Sequence, residues 1–153
     1  MGTVAVRAVW GVLAVPERGP PVGLVLLGRV QAGLVDALHD HDFVYLHIEA
    51  SDEAGHEGDV ELKTKTIEYL DNRVVKYIME ETEKMDEDVA IALLPDHPTP
   101  CMLKTHTREP VPFIIYTPNI KPDKVEFYDE MEAVKGSMGM LSGDEFMKAL
   151  VKK

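Results

Sequence analysis

At 153 residues the chain is long enough for one domain with a real core, and its 45% apolar and 28% charged content are those of an ordinary globular protein. A net charge of −11 repels phosphate backbones and so excludes non-specific nucleic-acid binding. No apolar run approaches the roughly 18 residues of a membrane span. The single cysteine, Cys101, excludes an internal disulfide framework, so the expected setting is cytoplasmic.

Residues 1–41 carry no net charge and hold six of the eleven glycines, so the acidity lies wholly in residues 42–153. Met1 to Gly28 shows no clean period, and Pro16, Pro20 and Pro21 interrupt it, which predicts a short strand plus loop or a weakly structured tail. Val30, Leu34 and Leu38 recur at helical spacing and predict a helix over Arg29 to His39, with His39 and His41 as solvated caps at its end. Phe43 to Ile48 is a β-rich apolar run that predicts a buried strand, in which His47 is expected as a hydrogen-bonded core histidine. Val60, Ile67, Leu70, Val74 and Ile78 then mark one face of a long helix, and Glu57, Asp59 and Glu61 near its start complement the dipole. Val89 to Leu94 and Pro112 to Tyr116 predict two further buried strands, and Ser142 with Glu145 forms a capping box for a last helix. Cys101 reads as a small buried residue, and Met138 to Leu141 as packing or a flexible approach to that helix. Strands alternating with helices predict an α/β layered fold with a largely parallel sheet and flanking helices.

The chemistry-bearing residues fall at the ends of these strands, where open α/β sheets build their sites. Asp52 and His56 are four apart, so a helical turn would put both on one face and let them grip one cation, with Gly55 letting the backbone pass close. Asp96 and His97 set a carboxylate beside an imidazole at a turn and suit a second divalent ion, and His106 could complete the first set. Two carboxylates and three imidazoles suit Zn²⁺, Mn²⁺ or a similar ion without choosing among them. Spacing leaves open whether these groups bind metal or are solvated surface side chains.

The stretches Asp42 to Ala50, Asp52 to Asp59, Leu94 to His97 and His106 to Phe113 together resemble the C-terminal part of the archaeal-type, cofactor-independent phosphoglycerate mutases, members of the alkaline phosphatase superfamily. The resemblance divides the chain into a weakly matching segment, 1–41, and the C-terminal part of a metal-binding, alkaline-phosphatase-like domain, 42–153. It implies two divalent ions, Mn or Zn, with Asp52, His56 and His106 around one and Asp96 and His97 as half of an incomplete second site. It also implies phosphoglycerate as substrate of the complete enzyme, with interconversion of the 3-phospho and 2-phospho forms. The family's nucleophile, a further Asp ligand and the substrate-binding insert lie upstream in a longer chain. None has a counterpart here, so no catalytic residue is assigned, and Leu13 to Leu27 departs from the family pattern as a truncated, deleted or frame-shifted gene would. The expected function is therefore a metal-holding part that is inactive alone, with a complementing N-terminal chain or a second copy as partner. The alternatives are a non-catalytic metal-binding or interaction module, or a phosphatase or phosphodiesterase of the same superfamily.

Overall fold

The structure is a computed structural model and describes residues 8–9 and 23–151, with side chains from residue 32 onward. The elements in chain order are β1 (Ala8–Val9), α1 (Gly23–Asp40), β2 (Phe43–Val44), α2 (Ala50–Glu57), α3 (Val60–Tyr69), a π-helical turn (Leu70–Val75), α4 (Lys76–Thr82), β3 (Ile91–Leu93), β4 (Ile114–Tyr116), α5 (Glu130–Ala133) and α6 (Glu145–Val151).

The central strand region explains why the middle of the sequence is continuously apolar. Val89 and Ile91 pack into one cluster with Leu34, Val35 and Leu38 of α1, Val74 of the π-helical turn and Ile78 of α4. Ala90 and Ala92 point to the other face and pack against Leu150 and Phe146 of α6. Successive side chains of a strand alternate between faces, so helices on both sides demand apolar residues at every position.

The helix expected from Arg29 begins earlier, at Gly23, within the stretch that showed no period; the rest of that stretch, apart from Ala8–Val9, lies outside the described residues. Leu24 to Leu27 are uniformly apolar, so they carry no amphipathic signal even when helical. The run from Phe43 to Ile48 is buried on one face only. Val44, Leu46 and Ile48 pack on the core while Phe43 and Tyr45 are exposed, and only Phe43–Val44 pair as a regular strand. His47 is correspondingly half-exposed, not a core residue; it lies 3.8 Å from Glu49 Oε1 and stacks on Tyr45. Its partial burial lowers its pKa, against the opposing pull of Glu49 and Asp96. Cys101 is half-buried, and Met138 and Met140 are exposed, so none of the three is core packing.

The long helix forms as α3, the π-helical turn and α4 in direct succession. Its apolar face holds for Val74 and Ile78 but not for Val60 and Ile67, which are exposed. The i→i+5 turn between them shifts the helix face, so residues ahead of Leu70 point away from the core.

β1 pairs with β2 in parallel, Ala8 opposite Phe43, whereas β3 pairs with β4 antiparallel, Ile91 opposite Tyr116. Among the described residues the strands are thus divided between the two senses, where a largely parallel sheet was expected. The β3–β4 connection contains turns but no helix, and a chain that returns without a crossover helix comes back antiparallel. No helix among the described residues is long and apolar enough to cross a membrane.

Candidate metal centre

The site grows from α2, whose first turn carries Asp52 and Glu53 where they complement the helix dipole. The helix stops at Gly58, which adopts φ +77° and donates its N–H back to the carbonyls of Ala54 and Gly55. As the i, i+4 spacing required, Asp52 and His56 lie on one face, with Asp52 Oδ2 3.4 Å from His56 Nε2.

The opposite wall is the segment that follows β3. Thr107 N–H donates to Pro98 O (3.1 Å), which folds 98–107 into a loop and returns His106 to the Asp96–His97 turn. Within the loop Lys104 adopts φ +55°, and its carbonyl accepts a hydrogen bond from His56 Nδ1 at 3.1 Å. That bond assigns the His56 proton to Nδ1 and leaves Nε2 as a lone pair directed into the cluster.

There His56 Nε2 meets His106 Nε2 at 3.0 Å, and His106 Nε2 is 3.5 Å from Asp52 Oδ1. Ligands bound 2.0–2.1 Å from a tetrahedral ion stand about 3.3 Å apart; the two imidazole nitrogens are 3.0 Å apart, and Asp52 approaches them with separate oxygens, Oδ2 at 3.4 Å from His56 and Oδ1 at 3.5 Å from His106. Two imidazole nitrogens this close need a hydrogen or a cation between them: with the His56 lone pair on Nε2, either a His106 Nε2–H donates to it or a bound ion bridges the two.

Asp96 and His97 stand on the same wall. Asp96 Oδ1 accepts from the His97 backbone N–H (3.1 Å), and Oδ2 is 3.4 Å from His97 Nε2. The structure does not separate this pair from the trio: the His97 ring stacks on His106 with centroids 3.6 Å apart, and His97 Nδ1 is 3.9 Å from Asp52 Oδ1. One donor atom from each of Asp52, His97 and His106 lies within 4.8 Å of the others. All five residues singled out in the sequence therefore gather on one surface, each half-exposed and open to a ligand.

Two further residues belong to this arrangement and were not legible in the sequence. Thr99 is 4% exposed, and its hydroxyl donates a short hydrogen bond to Asp52 Oδ1 while lying 3.2 Å from His97 Nδ1. Lys63, from α3, donates Nζ–H to Thr99 O at 2.7 Å. Gly55 makes room for this residue: a Cβ there would stand 2.5 Å from Thr99 O.

Residues 28–153 match the Metalloenzyme superfamily. The chain belongs to that family. Within it, this superfamily member is 49% identical over 126 residues to the 2,3-bisphosphoglycerate-independent phosphoglycerate mutase of Methanosarcina acetivorans, covering 82% of this chain and 32% of that protein. It is 42% identical over 148 residues to the enzyme of the same name from Methanothrix thermoacetophila, covering 97% of this chain and 38% of that protein. The chain thus spans about a third of the length of the relatives it matches. Among solved structures, PH0037 from Pyrococcus horikoshii superposes with a TM-score of 0.69 at 35% identity, over 78% of this chain and 36% of that one. Superfamily membership and the clustered donors together support the use of a divalent ion.

Proposed function

We propose that this superfamily member is the metal-holding part of a phosphoglycerate mutase, and that the 153 residues alone do not turn over. The observation that carries the reading is the Asp52–His56–His106 trio, with separations of 3.0 to 3.5 Å and His56 Nδ1–H donating to Lys104 O. In this reading Asp52, His56 and His106 hold one ion, and Asp96 and His97 hold part of the shell of a second. A divalent ion bound here lowers the pKa of a hydroxyl nucleophile and offsets the charge of a transferring phosphoryl group. The chain's own residues supply the carboxylates and lone pairs, keep the imidazole protons turned outward and leave one side of the cluster open for substrate. The remaining parts, a nucleophile with its ion and a grip for phosphoglycerate, come from a complementing N-terminal polypeptide. The phosphatase-like layered sheet would then be completed by that polypeptide, and a cytoplasmic setting suits the lone thiol.

Metal analysis after loading with Mn²⁺ or Zn²⁺ tests the first half of this reading. At least one equivalent is expected, and His56→Ala should weaken binding by more than about tenfold. Less than about half an equivalent bound to the unaltered chain would sink the metal role. The second half is tested by assaying conversion of 3-phosphoglycerate to 2-phosphoglycerate. No turnover is expected from the chain alone, and recovery is expected on adding the separately produced N-terminal remainder of the Methanosarcina acetivorans enzyme. Metal-dependent hydrolysis of an aryl phosphate by the chain alone, lost in His56→Ala, would instead move it to the phosphatases.

A further inference from the structure

We infer that Thr99 is a positioning residue that orients Asp52 and fixes the tautomer of His97, so that both present lone pairs to the metal cluster; this rests on the reading above.

A threonine hydroxyl has one proton to donate and lone pairs to accept with. In this site the proton goes to Asp52 Oδ1, which as a carboxylate can only accept. The contact with His97 Nδ1 at 3.2 Å must then run the other way, with Nδ1–H donating to Thr99 Oγ1. His97 is thereby placed in the Nδ1–H form, and its lone pair falls on Nε2, which faces Asp96 Oδ2 at 3.4 Å. That nitrogen and the Asp96 oxygen are then two acceptors side by side, an arrangement that a divalent ion would bridge. Thr99 thus does for His97 what the Lys104 carbonyl does for His56: each accepts a hydrogen bond from Nδ1–H and leaves Nε2 as the nitrogen with the free lone pair.

The placement of Thr99 is held from behind. It is 4% exposed, its carbonyl accepts from Lys63 Nζ at 2.7 Å, and Gly55 leaves the space into which its backbone fits. Pro98 and Pro100 flank it and restrict the backbone on both sides. Its contacts reach Asp52 on α2 and His97 beyond β3, so one hydroxyl couples the two walls of the site.

The test compares Thr99→Val, which keeps the shape and removes both hydrogen bonds, with Thr99→Ser, which keeps the hydroxyl. In the metal-free chain near pH 8, where an ordinary histidine is neutral, two-bond ¹H–¹⁵N correlation spectra report the His97 tautomer. The Nδ1–H form is expected in the unaltered chain and in Thr99→Ser, and a mixture of tautomers in Thr99→Val. Titration with Co²⁺, followed by its visible absorption, should show affinity about 10–100-fold weaker in Thr99→Val and within threefold of the unaltered chain in Thr99→Ser. Unchanged tautomer and affinity in Thr99→Val would overturn the inference while leaving the metal reading intact. A chain that binds no Co²⁺ would overturn both. If Thr99→Val does not fold, Lys63→Met decides: loosened Thr99 should mix the His97 tautomers and weaken Co²⁺ binding, and no change in either overturns the inference.

Discussion

Gly55 occupies a position where two effects of opposite sign can be weighed. Alanine is favoured over glycine inside a helix by about 1 kcal/mol. At Gly55, however, a Cβ would come within 2.5 Å of Thr99 O and 2.9 Å of Thr99 Cγ2. The nearest atom is a backbone oxygen between two prolines, which cannot swing aside as a flexible side chain would, and overpacking of this kind costs about 1–3 kcal/mol. Gly55→Ala should therefore be net destabilising, by about 1–2 kcal/mol in urea unfolding, and should loosen metal binding through Thr99. Gly33 is the control: it is exposed in α1 with nothing within 4 Å of its Cβ position, so Gly33→Ala should stabilise by about 0.5–1 kcal/mol. A loss at Gly33 or a gain at Gly55 would contradict this account. The contrast also marks the limit of what single residues reveal in sequence. Asp52 with His56, and Asp96 with His97, could be paired in the sequence because each pair sits on one turn, and the structure brings these four and His106 to one surface. Thr99 and Lys63 were not legible: Thr99 bonds Asp52 across 47 positions and Lys63 bonds Thr99 across 36, and a threonine two residues after His97 is by itself no signal.

Element boundaries were legible where capping chemistry is local. Asp59 ends the break after Gly58 and starts α3 by accepting the Leu62 N–H at 2.9 Å, and Glu145 returns to the Ser142 N–H at 2.7 Å ahead of α6. Asp59→Ala should cost about 1 kcal/mol, read as a lower denaturation midpoint with unchanged steepness. The π-helical turn and the one-sided strand at Phe43–Ile48 were not legible, since a hydrophobic run does not say which of its faces will be covered. A further local clasp carries a pH dependence. Asp123 accepts the Ser137 N–H at 2.8 Å and the Val125 N–H at 2.9 Å, and these bonds hold its carboxyl below the ordinary 3.8. Because the folded value is lowered, the stability it contributes is present above pH 3.8 and is lost as pH falls through the lowered value. Asp123→Asn should remove that step, which NMR titration of the Ser137 amide would show as a flattened acid limb.

For the molecule as a whole, charge and apolar exposure act against each other. Ile120, Phe127, Met131, Val134 and Met140 are all more than 60% exposed, and Leu93, Ile114 and Tyr116 leave part of the β3–β4 pair open to solvent. Apolar surface of this kind, with a sheet edge beside it, drives association. The net charge of −11 opposes it by mutual repulsion between copies. Salt decides between the two, since the screening length falls from about 30 Å at 0.01 M to about 3 Å at 1 M, while contact between apolar side chains is not weakened. Sedimentation should therefore show the monomer favoured at low salt and a rising average mass at high salt. A mass independent of salt would mean that these side chains do not associate copies of the chain. If the complementing polypeptide proposed above covers the same surface, adding it should suppress the salt-induced rise; Met131→Lys with Val134→Lys should suppress it in the chain alone while leaving the metal cluster untouched.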